Sequence, residues 1–471
     1  MTDQEPDQVK LYLAFSQSKI PADRLTFEVD KSLDGIKKRI NSSKSDFQEP
    51  RSNEVESVKP LLTSEDYYRF LNRYESSLST FYNLVDTIKK ISSDHIVSLL
   101  RDQLLPVVTS EGSLDEELDG FDIYSFDIGK YAKLASPIAE MHKAVSGFNL
   151  IPDSFLLSLV AKFDYQMSDL AKRLHLARPD RLTNSEKTLT AKEIMQMKSF
   201  EDVLISLIDL DVDKMMRGSH ADMIRQFEKS FEIEVIEHYK SWPIFVEIFE
   251  RRNLSAHANR CVSKEYIDKC SKEGVDLKNL KIGDHIPLTF KYITRSVDVL
   301  LEFGLNLVYV IWLKSIPDDE EIIFSHLNDA CYQMIKSERL EVAERLLGFG
   351  RSARKRKPLD MVTKMMTVNL AICKKKNGKI DDTNKILSST DWSASSKMFR
   401  ICIHALKDEV DRVVEMMPSV QEDDEVGKFG FRQWPAFDSV RSDDKFTAKF
   451  EEIYREPIIA PPERALPMEV D

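Results

Sequence analysis

Apolar residues recur at helical spacing along most of the chain, which predicts a structure built from amphipathic helices. From Ser64 to Ile88, large apolar side chains lie three or four positions apart, and Thr63 supplies an N-terminal cap. The same spacing predicts further helices over residues 155–174, 200–216, 221–231, 233–252 and 288–312. The last of these carries an apolar run that contains Glu302 and is too short to span a bilayer, so we interpret it as a buried helix.

Two stretches break this spacing, and one proline falls inside a predicted helix. Residues 111–122 are interpreted as an acidic loop, and residues 258–287 as an irregular segment. Pro243 lies within the predicted helix 233–252, which therefore needs either a kink at this position or a new first turn capped by Ser241.

The C-terminal part of the chain contains an internal repeat. Its anchor residues are 41 positions apart, with Asn328, Ala330 and Leu346 in one copy and Asn369, Ala371 and Leu387 in the other. Each copy holds a turn-like stretch, at residues 337–339 and 376–379, and a looser third copy covers residues 398–417. Units of this length predict helix–turn–helix repeats that stack into a tetratricopeptide-like α-solenoid.

These patterns predict an all-α chain with five regions. The regions are a partly flexible N-terminal leader (1–60), an N-terminal helical region (61–150), a helical bundle (151–316), the repeat region with a capping segment (317–456) and a flexible tail (457–471).

Composition agrees with a helical protein and restricts its partners. Glycine is scarce, with 14 residues in 471, whereas a many-stranded sheet needs glycine-rich turns. The net charge of −12 argues against a general polyanion-binding surface, so a nucleic acid would have to bind at a local basic site. The five cysteines contain no CxxC pair, and neither a metal site nor a cofactor is predicted. With an acidic, polar N-terminus, these features predict a cytoplasmic protein without membrane contact.

One charged residue occupies a position where the helical pattern calls for an apolar one. Phe245, Ile248 and Phe249 form an apolar stripe, and Arg252 is the next position on it. A guanidinium directed at a core costs several kcal/mol unless an anion or a hydrogen-bond acceptor meets it. His257 follows five positions later, so the segment offers a permanent cation and a titratable imidazole.

Arg252 and His257 can cooperate only if they reach one cleft. In an uninterrupted helix, five positions correspond to a rotation of about 140°, so the two side chains would lie on different faces. Either the helix ends near Asn253 and His257 folds back, or Arg252 of one chain meets His257 of a second chain across a two-fold axis.

Such a cleft suits the cleavage of RNA phosphodiesters without a metal. The histidine would accept the proton of a ribose 2′-OH, and Arg252 would bind the phosphate and stabilise its developing charge. Asn253 would fix the imidazole tautomer or contact the phosphate.

This pattern resembles the motif of the HEPN superfamily (higher eukaryotes and prokaryotes nucleotide-binding). In that motif an arginine and a polar residue, often Asn, precede a histidine after four to six intervening residues, and Arg252, Asn253 and His257 match it. Residues 150–316 also resemble one prokaryotic branch of the family, through Phe163-Asp164, Arg178-Pro179, the helix at Phe200, Glu250-Arg251-Arg252-Asn253, Tyr266 and the helix ending at Trp312.

The resemblance implies a helical bundle that dimerises and forms a ribonuclease cleft on the two-fold axis. It implies a role in toxin–antitoxin or antiviral defence systems, although many family members only bind RNA or a protein partner. The segments Asn369-Leu370-Ala371 and Asp391-Trp392-Ser393 resemble the helical repeat region that often follows the bundle.

The first functional hypothesis is a homodimeric, metal-independent endoribonuclease. Arg252, His257 and Asn253 would be catalytic, and Glu250 and Arg251 would support them. Basic residues of the repeat region would guide RNA, namely Arg351, Arg354, Lys355 and Arg356, with a second basic cluster at residues 374–376.

The alternative is a non-catalytic scaffold that binds RNA or a protein partner through its repeats. Arg252 would then pair with a bundle carboxylate such as Glu250 or Asp164, and His257 would only cap the end of a helix. The other eight of the nine histidines are interpreted as structural or exposed.

Overall fold

The computed structural model describes residues 58–118, 121–125, 131–184, 189–277, 279–353, 360–422 and 427–458, together with two strands near the N-terminus. The chain divides into two units, Met1–Lys59 and Pro60–Asp471. In the first unit, strand β1 (Tyr12–Phe15) pairs antiparallel with strand β2 (Phe27–Asp30). The rest of the predicted leader up to residue 57, and the predicted tail from residue 459 onward, lie outside the described residues.

The described part of the second unit is predominantly α-helical, which confirms the predicted all-α class. Its first nine α-helices, in chain order, are α1 Ser64–Leu99, α2 Leu105–Glu111, α3 Tyr131–Ala177, α4 Ala191–Gln196, α5 Phe200–Met216, α6 His220–Phe231, α7 Trp242–His257, α8 Lys264–Lys272 and α9 Phe290–Ser315. A π-helical turn, Leu100–Leu104, joins α1 to α2, and the 3-10 helix Pro179–Asn184 follows α3.

Side-chain caps mark two of the predicted helix starts. Thr63 and Asp66 exchange hydrogen bonds at the start of α1, where the Asp66 carboxylate accepts from the Thr63 backbone N–H at 3.1 Å. Ser199 and Asp202 form the same capping box at α5, which has the predicted bounds. The apolar stripe of α1 is buried as predicted, because its large residues face α3 and α9.

Four predictions about local structure are wrong. The predicted helix 155–174 is only part of α3, which extends from Tyr131 to Ala177. No helix covers residues 233–241, so the predicted start at residue 233 is wrong. Helix α7 begins at Trp242 with Ser241 as its N-cap, which is the second of the two arrangements predicted for Pro243, because a proline in the first turn lacks only an N–H without an intrahelical role. Residues 258–287 are not irregular throughout, since they contain α8 with its N-cap Ser263. The acidic stretch contributes an antiparallel hairpin, Ser113–Leu118 (β3) with Phe121–Ser125 (β4), instead of a loop alone.

Helix α9 lies at the centre of this unit. It packs against α1, α3 and α7, and 17 of its residues, such as Phe303 and Trp312, are buried. The Trp312 ring stacks on Tyr67 of α1, with ring centroids 5.3 Å apart and an interplanar angle of 8°. These contacts confirm the predicted buried helix.

Among the residues that the structure describes, two helical segments are long and apolar enough to cross a membrane by length and composition. They are Lys133–Ala177 of α3 and all of α9. In an apolar stretch of 18 residues within α9, 83% of the residues are buried inside the protein. In the corresponding apolar stretch of α3, only 28% are buried. The apolar character of α9 is therefore explained by its place in the core.

The C-terminal helices form consecutive pairs. They are α10 Glu320–Lys336, α11 Leu340–Ser352, α12 Asp360–Lys376, α13 Ile380–Ser388, α14 Lys397–Leu406, α15 Val410–Met416, α16 Gly427–Gln433 and α17 Asp444–Tyr454, with the 3-10 helices Pro317–Asp319, Met417–Val420 and Pro435–Phe437 between some of them. Within each of the first three pairs, the two helices pack together. The first helices of the pairs also stack, with α12 between α10 and α14.

The same turn joins the helices of all three pairs. Glu338, Gly378 and Asp408 each have a positive φ, between 57° and 74°. The residue after each of them donates its backbone N–H to a carbonyl five positions back, which is the hydrogen bond of a Schellman turn. The turns at the two predicted turn-like stretches are confirmed, and the third lies in the looser copy.

A small separate core includes Leu254, Tyr266 and Cys270, whereas the main apolar core contains side chains from Leu61 to Ile458. Helix α3 runs through residue 150, and side chains from both sides of residue 316 contribute to this core. The five-region division stays a prediction.

Candidate active site on helix α7

Helix α7 carries all the residues of the predicted motif. Ser241 is its N-cap, although the Ser241 side chain makes no capping hydrogen bond, and the helix continues without interruption to His257. Phe245, Ile248 and Phe249 are buried, as their stripe predicts. Arg252 continues this stripe at the edge of the core, where 25% of its side-chain surface is exposed.

Arg252 faces a carboxylate and an imidazole from two other helices. Its Nη2 atom lies 3.8 Å from Oδ2 of Asp164 on α3, which is an ion pair without hydrogen-bond geometry. The Nε atom of Arg252 is buried without a hydrogen-bond partner among the described residues. The other Asp164 oxygen, Oδ1, lies 2.8 Å from Nε2 of His220, the first residue of α6.

The His220 ring is held in place by packing. It stacks on Phe249, with ring centroids 3.7 Å apart and an interplanar angle of 10°. Ser219 caps α6 by accepting a hydrogen bond from the Asp222 backbone N–H, which fixes the start of the helix on which His220 lies. Only 15% of the His220 side-chain surface is exposed.

His257 does not join this cluster within one chain. Because α7 is helical through residue 257, Arg252 and His257 are separated by about 140° around the helix axis, and His257 is exposed. The first of the two predicted arrangements, in which the helix ends near Asn253 and His257 folds back, is therefore wrong.

Arg251 belongs to a buried network on the other side of α7. Its Nε donates to Glu247 at 2.6 Å, and the hydroxyls of Tyr266 and Tyr292 donate to the same carboxylate at 2.9 and 2.5 Å. The guanidinium also covers the Tyr292 ring at 4.1 Å from its centroid. Burial and the negative charge of Glu247 raise the pKa of both tyrosines, so they stay protonated as donors.

Glu250 and Asn253 also pair with each other. The Asn253 amide donates to Glu250 at 3.4 Å, and Lys269 of α8 lies 3.6 Å from the same carboxylate oxygen. Glu250 is thus a neighbour of Asn253 and Lys269, whereas the carboxylate opposite Arg252 is Asp164.

The predicted RNA-guiding residues are only partly described. Arg354, Lys355 and Arg356 lie outside the described residues. Arg351 is in the last turn of α11, and its Nη1 atom is buried without a hydrogen-bond partner among the described residues.

The second basic cluster is engaged in ion pairs between helix pairs. Lys374 contacts Glu344 at 3.0 Å and Asp382 at 3.1 Å. Lys375 contacts Asp408 at 2.7 Å and donates to the carbonyl oxygens of Ala405 and Leu406 at the end of α14. These lysines therefore hold neighbouring helix pairs together.

Lys376 completes this set of contacts. It lies 2.8 Å from both Glu338 and Asp438, which connects the turn after α10 with the segment before α17. With their charges paired, residues 374–376 present little free positive charge to an RNA.

His220 is the residue of this site that the sequence interpretation missed. Its contact with Asp164 joins positions 56 residues apart, and nothing in the local pattern indicates that pairing. The available local signal was the Ser219 cap, which places His220 at the start of a helix.

Within the described residues, no group of three or more His, Cys, Asp or Glu side chains could hold a metal ion. No family model matches the chain, and no curated protein or solved structure matches it. The resemblance to the HEPN superfamily and to tetratricopeptide-like repeats therefore stays a prediction.

Proposed function

We propose that the protein is a metal-independent endoribonuclease that works as a homodimer. Cleavage would leave a 2′,3′-cyclic phosphate on one product and a 5′-hydroxyl on the other. Arg252 would bind the scissile phosphate, His257 of a second copy would transfer a proton, and Asn253 would assist. The fold proposed for this activity is a HEPN-like bundle followed by a tetratricopeptide-like solenoid.

The unsatisfied donor capacity of Arg252 is the observation that carries this proposal. A guanidinium has five N–H donors, yet the Arg252 Nε is buried without a hydrogen-bond partner in the described part of the chain, and the neighbouring Asp164 oxygen is 3.8 Å away. A phosphate oxygen can supply the missing acceptors, and Arg binds phosphate with paired, charge-assisted hydrogen bonds. The partial exposure of Arg252 leaves a direction from which the phosphate can approach.

The helical geometry of α7 is the reason that this proposal includes a second copy. Because His257 lies on another face from Arg252, the two can share a cleft only if His257 comes from another chain. Asn253 follows Arg252 on the same helix and would need to exchange its weak contact with Glu250 for the substrate.

The wider role follows from the same resemblance. A nuclease of this type would act on RNA in the cytoplasm, in a toxin–antitoxin or antiviral defence system, without a cofactor and away from membranes. The stacked helix pairs and their three equivalent turns support a solenoid that binds a protein partner. Arg351 and the neighbouring basic residues would guide the RNA.

RNA cleavage with purified protein in EDTA tests the activity. We expect the wild type to produce cyclic-phosphate ends, and Arg252→Ala and His257→Ala to lose at least about 100-fold in rate. His238→Ala and Arg295→Ala remove exposed side chains elsewhere and should cleave like the wild type. Equal cleavage by all variants, or intact RNA with every one, would contradict the proposal.

Mixed dimers test the composite cleft. Arg252→Ala and His257→Ala chains, co-expressed with different tags, should regain about a quarter of the wild-type activity, because half of the dimers contain one intact cleft. No recovery in purified mixed dimers would rule out a cleft shared between two chains.

A non-catalytic scaffold is the second candidate. The ion pair between Arg252 and Asp164 and the pairing of Asn253 with Glu250 favour it, since both contacts already occupy motif residues. On this hypothesis the stacked helix pairs bind RNA or a protein, and Arg252→Ala lowers the free energy of unfolding without changing any RNA.

A further inference from the structure

We propose that His220 is the general base of this site and that Asp164 is its positioning residue, in the same chain as Arg252. The inference rests on the proposed endoribonuclease function and assigns the proton-accepting step to a residue outside the motif. Asp164 connects His220 with Arg252, because one of its carboxylate oxygens lies 2.8 Å from His220 and the other lies 3.8 Å from Arg252.

The contact with Asp164 selects the ring tautomer that a base needs. A neutral imidazole that donates from Nε2 to a carboxylate carries its proton there and leaves Nδ1 as an acceptor. The carboxylate also stabilises the imidazolium that forms when Nδ1 takes up a proton. Stacking on Phe249 at 3.7 Å fixes the plane of the ring, so Nδ1 points in one direction.

Phe249 also brings His220 to the side of α7 on which Arg252 lies. Phe249 and Arg252 are three positions apart and are therefore neighbours on one face of the helix. A phosphate bound to Arg252 would place its ribose beside the ring that stacks on Phe249. His257, in contrast, lies on another face of α7.

All three side chains are accessible in part, which separates this cluster from a buried structural pair. Their exposed fractions are 15% for His220, 29% for Asp164 and 25% for Arg252. By comparison, the Glu247 carboxylate, in the network on the other side of α7, is 9% exposed. A substrate can thus reach the cluster from solvent.

The reaction balances with the residues named. The ribose 2′-oxygen attacks phosphorus and loses its proton to Nδ1 of His220, while Arg252 stabilises the charge on the non-bridging oxygens. The bond between phosphorus and the 5′-oxygen breaks, and the leaving oxygen takes a proton from His257 of the second copy. Base and acid then exchange their protons with water.

The pH dependence of cleavage tests the base. Among the described residues, the Asp164 carboxylate of α3 contacts His220, Arg252 of α7 pairs with that carboxylate, and Asp222 lies on the same helix as His220. Wild-type kcat should increase with pH, since only the neutral ring of His220 accepts a proton. His220→Gln should lose that rise and at least about 100-fold in kcat, with little change in KM.

Two companion variants separate a catalytic from a structural role. Asp164→Asn keeps a side chain that can form hydrogen bonds but loses the negative charge that stabilises the imidazolium, so kcat should fall. KM for RNA should not rise, because Arg252 is released from its ion pair. Added imidazole should restore activity to His220→Ala and leave Arg252→Ala inactive. The exposed His238→Gln is the matched control and should keep the wild-type profile.

Mixed dimers assign His220 to one side of the cleft. A chain with His220→Gln should regain RNA cleavage when it is paired with a chain that carries His257→Ala. One cleft of this mixed dimer then has an intact Arg252, His220 and His257. The His220→Gln chain should not be rescued by Arg252→Ala, because Arg252 and His220 belong to the same half of each cleft. Rescue by His257→Ala also demonstrates that the His220→Gln chain is folded.

The outcomes distinguish this inference from the proposed function. If the wild type cleaves RNA and His220→Gln cleaves at the same rate with the same pH profile, His220 is not the base. The proposed ribonuclease function is then unaffected. Rescue of His220→Gln by Arg252→Ala overturns the assignment to the same chain. A wild type without any cleavage overturns both.

Discussion

The hydroxyl of Tyr74 occupies the space that a side chain at Gly304 would need. A Cβ atom on Gly304 would lie 2.1 Å from the Tyr74 oxygen and 2.2 Å from its Cζ atom. The same hydroxyl donates a hydrogen bond of 2.5 Å to the Leu300 carbonyl, so it has a reason to stay. We expect Gly304→Ala to lower the free energy of unfolding by about 1–3 kcal/mol through overpacking, measured by urea denaturation.

Gly348 in α11 is the matched control for this substitution. Nothing lies within 4 Å of its Cβ position, and alanine is the better helix former. We expect Gly348→Ala to raise the free energy of unfolding by about 0.5–1 kcal/mol. Equal losses at both glycines would show that contact with Tyr74 is not the cause.

His326 makes stability dependent on pH. Burial lowers its pKa from 6.5 to about 4, and its ring is bonded to Tyr309 at 2.8 Å and to Asn72 at 3.3 Å. Between these two pKa values the unfolded chain binds a proton that the folded chain does not, so stability is lost as pH falls from 6.5 to 4. The loss attributable to His326 should reach about 3 kcal/mol.

The measurement compares urea denaturation at several pH values for the wild type and His326→Gln. The variant lacks this titration, so its stability should fall less over the same window, by the amount assigned to His326. His238→Gln removes an exposed histidine and should follow the wild type. Parallel curves for the wild type and His326→Gln would contradict the lowered pKa.

The candidate site was partly predictable at this scale. Arg252 stood out because the apolar stripe of Phe245, Ile248 and Phe249 is local information. Asp164 was one of the two carboxylates predicted to pair with Arg252. His220 was not predictable, because its contact with Asp164 depends on how α3, α6 and α7 pack. An imidazole at the start of a helix has no sequence signal that separates a capping role from a catalytic one.

The starts of α1 and α5 were predictable from the sequence. The caps of α1 and α5 involve residues three positions apart, so their signal lies within one turn. The start of α7 was ambiguous, since Pro243 is compatible with a kink as well as with a first turn. The short helix α8 was missed because the burial of Tyr266 and Cys270 depends on packing against the end of α7.

The repeated turns give a test at the level of elements. Gly378 has φ of +74° and nothing within 4 Å of its Cβ position, so a substitution there acts only through the backbone. We expect Gly378→Ala to lower the free energy of unfolding by about 1 kcal/mol, because alanine disfavours the left-handed conformation. Glu338 occupies the equivalent position with φ of 57°.

Glu338→Gly is the reciprocal experiment and should change stability in the opposite direction. Glycine adopts the left-handed conformation without strain. The substitution also removes the ion pair between Glu338 and Lys376, but this pair contributes little to stability because the Glu338 side chain is exposed. Both variants are compared with the wild type by urea denaturation. Stabilisation by Gly378→Ala would show that the three turns do not share one backbone conformation.

At the scale of the whole molecule, Asp319 connects parts of the chain that belong to three of the predicted regions. Ser64 at the start of α1 donates to Asp319 at 2.6 Å, across 255 positions, and Trp312 at the end of α9 donates to the same oxygen at 2.7 Å. Asp319 directly precedes α10, so this buried carboxylate joins the first helix, the central helix and the first repeat helix. With one continuous core around them, these parts should unfold together.

Asp319→Ala tests this coupling. The substitution leaves the Ser64 hydroxyl and the Trp312 indole N–H without their acceptor, which should cost about 2–3 kcal/mol of stability. Because the carboxylate lies where three predicted regions meet, we expect far-UV circular dichroism and tryptophan fluorescence to shift together, as one transition. Asp319→Asn retains an acceptor and should lose less, and the exposed Glu321→Ala should change little. Separate transitions for the two probes, in the wild type or in Asp319→Ala, would mean that the regions fold independently, as the sequence-based division implies.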